Sequence, residues 1–169
     1  MSIDQQGWNA FTKKASDTLA ASQPPVNHQP YIQILFEPSF DDHSLLHLSW
    51  DPTTVTWQRT TWLRSVDAAK FDPIENLKYI GVQLHPTLSH EQGETDISKI
   101  SPLLDLVRSL SIPPLIDKSG GIILDGCHYT LTIGVDEFQT TYKWHRLPDE
   151  WTRLQQVAGM LEDLNESFL

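Results

Sequence analysis

From Cys127 to His145 apolar and polar residues alternate with the period of a strand, break over four residues, and alternate again. Cys127, Tyr129, Leu131 and Ile133 fall on one face; His128, Thr130 and Thr132 fall on the other. A turn over Gly134-Val135-Asp136-Glu137 returns the chain along Phe138 to His145. Setting Ile133 opposite Phe138 pairs Leu131 with Thr140, Tyr129 with Tyr142 and Cys127 with Trp144. The polar side then pairs Thr132 with Gln139, Thr130 with Thr141 and His128 with Lys143. A slip of one residue would mix the faces, so the pattern constrains the register. Upstream, Ile122, Ile123 and Leu124 lead into Asp125-Gly126, the dipeptide of a two-residue type I′ hairpin.

A helix that covers the dry face is expected next. Pro148 sets its entry, and Asp149 and Glu150 suit the positive end of the helix dipole. Trp151, Leu154, Val157, Leu161, Leu164 and Phe168 recur at helical spacing as one stripe. Arg153, Glu162 and Glu166 fall off it and read as a solvated face.

The rest of the chain is less regular. Asp4 is placed to cap an N-terminal helix with Trp8, Phe11, Ala15 and Leu19 on one side, and 21–30, with Pro24-Pro25, reads as an extended arm. Tyr31 to Phe36 predicts a first strand. Leu45 to Trp50 and Val55 to Trp62 predict a hairpin around Asp51-Pro52, with Leu46, Leu48, Trp50, Val55 and Trp57 facing one way. Ser65 to Phe71 suggests a short helix, and Tyr79 to His85 a fourth strand with Ile80, Val82 and Leu84 inward. Ser101-Pro102 opens a helix with Leu103, Leu106, Val107 and Leu110 on one face, and Pro113-Pro114 ends it. Thr54 to Arg59 and Thr141 to Arg146 echo one another, which raises an internal duplication as an option. Together these elements predict an α+β domain over 31–169, preceded by a helix and arm over 1–30. Its antiparallel sheet has six or seven strands, with helices packed mainly on one face.

Charge narrows the function classes. A net charge of −10 and a pI near 4.9 leave no basic stripe for a phosphate backbone or an anionic membrane, but suit a basic protein partner. A single cysteine excludes an internal disulfide, and the start lacks a basic region followed by an apolar run, so the cytoplasm is the expected location. No apolar run approaches the ~20 residues of a membrane helix.

Candidate chemistry is sparse. Cys127-His128 suggests a thiolate and its base, yet neighbours on a strand point to opposite faces, and a cysteine on the dry face packs as a small hydrophobe. His43 and His47 have the spacing of a helical metal pair, but in a strand they lie ~13 Å apart. His85, His90, Glu91, Glu94 and Asp96 fall in what reads as a loop, where imidazoles and carboxylates could hold a metal or act as an acid–base pair. His85, His90 and Glu91 are the metal candidates, with His128 or His145 as further contributors. Gly120-Gly121 is too short for a phosphate cradle and precedes a strand, so no cofactor is expected. No catalytic residue is assigned.

Asp125-Gly126, Tyr129, Trp144, Pro148, Glu150-Trp151 and Leu154 with Leu161 and Leu164 resemble a closing module of uncharacterised bacterial open reading frames. In that pattern an Asp-Gly turn and an aromatic precede a hairpin ending in tryptophan, then a proline, a Glu-Trp and a leucine-spaced helix. The resemblance covers about a quarter of the chain, implies a bacterial domain and brings no active site. Two functions are therefore expected in order: an immunity- or antitoxin-like module for a basic partner, then a small-ligand or metal-dependent hydrolase in the His85–Asp96 loop. A homodimer through a sheet edge or the N-terminal arm fits either.

Overall fold

The computed structural model describes residues 3–22, 24, 28–70, 85–110, 127–135, 138–145 and 151–167. Along the chain run α1 (Ile3–Ala21), β1 (Tyr31–Pro38), β2 (His43–Trp50), β3 (Thr54–Trp62) and α2 (Arg64–Lys70). After them come β4 (Leu88–Asp96), a 3₁₀ turn (Ile97–Lys99), α3 (Ser101–Arg108), β5 (Cys127–Val135), β6 (Phe138–Trp144) and α4 (Thr152–Ser167). The six strands make one antiparallel sheet in the order β4-β3-β2-β1-β5-β6. This is an α+β fold.

Alternation along each strand sorts the side chains into two layers. On one face Ile32, Ile34 and Phe36 of β1 join Leu46, Leu48, Val55 and Leu131, under Leu103 and Leu104 of α3 and Leu154, Val157 and Leu161 of α4. The other face has a smaller core in which Phe11, Ala15 and Leu19 of α1 cover Leu35, Leu45 and Trp62. Thus α1 packs on the sheet. Asp4 lies inside its first turn, not at the cap. Trp62 is fully buried there and donates its indole N–H to Asp67 of α2 at 2.9 Å.

The β5–β6 pairing corrects the expected register by two residues. Val135 pairs with Phe138, Ile133 with Thr140, Leu131 with Tyr142 and Tyr129 with Trp144. The strands continue through Gly134 and Val135, so only 136 and 137 lie between the paired ends. An even slip keeps every side chain on its face, and the alternating pattern is therefore preserved. Tyr129 and Trp144 stack at 5.2 Å between ring centroids, which removes the expected Cys127–Trp144 pair.

Further expectations change as well. The segment read as a loop between His85 and Asp96 is β4, an edge strand paired with β3 along its whole length. The strand expected over 79–85 lies outside the described residues except for His85, which is irregular and exposed. The 122–124 strand and its Asp-Gly turn also lie outside them, as do 113–114, Pro148 to Glu150 and Phe168; both edges of β5 are occupied, by β1 and by β6. Glu162 is not on a purely solvated face, because the Tyr129 hydroxyl donates to it at 2.6 Å. Arg153 donates to the Ser109 carbonyl at 2.7 Å, tying α4 to the end of α3. Among the described residues no helix is long and apolar enough to cross a membrane.

Candidate functional site

Strand geometry separates the residues that sequence suggested for metal or acid–base work. His90 and Glu91 are neighbours on β4 and so leave it on opposite faces. His90 faces Thr60, with its Nδ1 3.1 Å from the Thr60 hydroxyl. Glu91 instead accepts the Arg59 fork, including Nε at 2.7 Å, while Arg59 Nη1 donates to the Asn165 carbonyl near the end of α4. Asp96 caps the 3₁₀ turn, and hydrogen bonds from the Ser98 side chain and from Ser98 N, the latter at 2.8 Å, hold its carboxyl below the ordinary value. Each of these side chains except exposed His85 and Glu94 has a structural partner.

The other histidines do not join them. His128 and His145 meet each other at 4.3 Å between ring centroids, but β5 and β6 lie across β3, β2 and β1 from β4. His43 and His47 share one face of β2. His43 packs edge-on against Trp62 at 4.9 Å and lies 3.4 Å from the Ser16 hydroxyl, whereas His47 stacks on Tyr31 at 5.4 Å. Burial lowers the pKa of both, with His47 brought to about 4, although Glu37 partly offsets the effect at His43. Cys127 is half-buried against the larger core, and burial raises its thiol pKa. Among the described residues no three His, Cys, Asp or Glu side chains are grouped to hold a metal ion.

A different region is concave. Two adjoining cavities of about 430 and 470 Å³ share Pro30, Trp50, Leu104 and Arg108 as walls. One extends between α3 and the tip of the β5–β6 hairpin, past Val107, Ile133, Val135 and Phe138. The other extends past Asp51, Pro52 and Ile97. Trp50 ends β2 and is fixed there by its backbone N–H to the Pro30 carbonyl at 3.3 Å. Leu104 and Arg108 lie one helical turn apart on α3, which starts with proline inside its first turn as helix entry favours.

The walls are apolar and the charges sit at the mouth. Arg108 is exposed and reaches Asp105 at 3.4 Å. Asp51 accepts from Thr53 N and Thr54 N, both at 2.8 Å, and these bonds hold its carboxyl below the usual range. At the rim Phe138 is 80% exposed and Val135 43%. Such a cleft can shield an apolar side chain from water while the charged mouth orients polar flanks.

Sequence reading missed this cleft. The pattern places Trp50 and Val107 as core positions, leaves Leu104 off the apolar face of its helix, and sets Phe138 opposite Ile133 on the dry face. The one local signal is Trp50 directly before Asp51-Pro52, an aromatic at a strand end beside a turn. No family model, curated protein or solved structure matches the chain.

Proposed function

We propose that the protein is a non-catalytic, cytoplasmic binding module, immunity- or antitoxin-like, that takes an apolar side chain of a basic partner protein into the cleft beside Trp50. The observation that carries this reading is the apolar cleft with Phe138 and Val135 exposed at its rim. Contiguous exposed apolar surface marks interaction sites on soluble proteins. The net charge of −10, with Asp51 at the mouth and Asp105 beside Arg108, favours a basic partner and would speed its encounter.

A hydrolase built on His85, His90 and Glu91 has no comparable support, because His90 and Glu91 diverge from β4. The test is affinity capture from a lysate of the source organism at low and high salt, with the wild type and Val107→Glu. A basic protein held at near-equal stoichiometry, released by salt and lost on Val107→Glu, is the expected result. Capture that is indifferent to salt and to Val107→Glu would remove the cleft from the account.

A further inference from the structure

Among the described residues the sheet ends in β4 and β6, two edges that are built differently. β4 presents Glu91, Glu94 and Asp96, so two copies meeting there would bring like charges together. β6 reads Phe138-Gln139-Thr140-Thr141-Tyr142-Lys143-Trp144 and pairs with β5 without interruption. It has no proline and no carboxylate, and its only charge is Lys143. Among the described residues it has a strand neighbour on one side only. Phe138 to Thr141 and Lys143 are exposed. A neutral, exposed edge rich in aromatic and β-branched residues is the kind that accepts another strand.

We infer that the free edge of β6 is a self-association surface, on which a second copy of the chain adds antiparallel through its own β6. The phase of the ladder supports this. Val135 and Phe138 pair across two intervening residues, the position of a hydrogen-bonded closing pair. The backbone groups of Gln139, Thr141 and Lys143 then point away from β5 and are free to pair.

A two-fold axis through Thr141 places Thr141 against Thr141 of the partner subunit and Gln139 against Lys143 of the partner subunit. On the face that α3 and α4 cover, Phe138 meets Trp144 of the partner subunit, and Thr140 meets Tyr142 of the partner subunit. These fall at non-hydrogen-bonded sites, where facing side chains approach most closely. No like charges oppose one another, and Phe138, 80% exposed in one chain, gains an aromatic neighbour. The contact is isologous and closes, so it yields a dimer and not a filament.

Sedimentation of the full chain over a concentration series tests the proposal, with three variants. Wild type should be a dimer, and Thr141→Lys, which sets two cations face to face at the axis, a monomer. Thr56→Lys, an exposed position on β3 away from either edge, should remain dimeric. Mild oxidation of Thr141→Cys should link two copies, because Cα atoms in a hydrogen-bonded pair lie within disulfide range. A wild type that stays monomeric at its highest attainable concentration overturns the inference, as does a dimer that survives Thr141→Lys. The dimer would cover Phe138 at the rim of the cleft, and the two readings are told apart because capture of a basic partner is read by salt and by Val107→Glu, whereas self-association is read by Thr141→Lys.

Discussion

The ring of Tyr31 lies across the backbone of Gly134, its cross-strand partner, and carries its hydroxyl over β5 to Gln139 on β6. The Tyr31–Gln139 hydrogen bond is 2.9 Å, and a Cβ added at Gly134 would come within 2.7 Å of the ring. Overpacking against a ring fixed at both ends costs about 1–3 kcal/mol. Gly134→Ala should therefore destabilise by that amount in urea unfolding. Tyr31→Phe, which keeps the ring and loses the hydroxyl, should lose only about 0.5–1.5 kcal/mol. An alanine at 134 that leaves the midpoint unchanged would mean that Tyr31 can move aside.

Asp67 has a second prediction attached to it. Fully buried, it accepts from Trp62 Nε1 at 2.9 Å, Thr87 N at 2.8 Å and Thr87 Oγ1 at 2.6 Å. It thereby joins α2 and the entry to β4 onto the core beneath α1. Asp67→Ala strands these donors and should cost about 3 kcal/mol or more. Asp67→Asn keeps an acceptor for Trp62 and Thr87 N and can donate to the Thr87 hydroxyl, so it should cost less. Thermal melts rank the two, and equal losses would argue that the charge itself matters.

Acid should weaken the fold before carboxylates protonate. His47 titrates at about 4 in the folded state against 6.5 unfolded, because burial disfavours its charged form, and its buried Nδ1 has no hydrogen-bond partner. Its neutral form is fully compatible with the fold above pH 6.5. As pH falls from there the unfolded chain gains a proton that the folded chain refuses, until pH 4 is reached. The loss should approach 3 kcal/mol by order of magnitude, at about 1.4 per pH unit. His43 shifts in the same direction and adds to it. Urea midpoints at stepped pH should fall through this window, with a shallower slope for His47→Gln. Identical slopes would assign the effect elsewhere.

Arg59 is a three-way tie among β3, β4 and α4. It is nearly buried, and its planar fork serves Glu91 and the Asn165 carbonyl together. A lysine ammonium cannot reproduce that geometry. Arg59→Lys should therefore lose about 2 kcal/mol, nearly as much as Arg59→Ala. A double-mutant cycle with Glu91→Gln should show coupling of about 1–3 kcal/mol, and additive losses would deny the contact an energetic role.

How much of this was legible follows from what covers each residue. β1 and β2 are buried on both faces and read as nearly continuous apolar runs, whereas β5 and β6 carry apolar residues chiefly on the face of the larger core, so burial wrote an alternation into their sequence. Among the described residues β4 has no such cover over most of its length. Its pairing depends on the ladder to β3 and on Trp57 packed against Gly93, where a Cβ would sit 2.9 Å from the indole. From sequence alone such a stretch of acids and glutamine looks like a loop. The β5–β6 register was off by two because face alternation is blind to even slips, and Gly134 looked like a turn residue when its bareness in fact accommodates Tyr31. The cleft was illegible for another reason: Trp50, Leu104 and Phe138 come from three separate elements and Pro30 from the segment before β1, and no local pattern joins them.

The placement of β1 has a consequence for synthesis. β1 to β4 can zip together in sequence order, each strand on the one before it, but the other side of β1 receives β5 only after about 100 further residues. Until Cys127 to Val135 has left the ribosome, Ile32 and Ile34 sit on a bare edge without the lid that α4 will supply. For that interval the nascent chain carries an open strand and an uncovered apolar face, the two features that draw chaperones or neighbouring chains. The last quarter of the protein acts as a built-in guard for β1, and slowing its arrival should harm folding yield more than any equal delay upstream of β1.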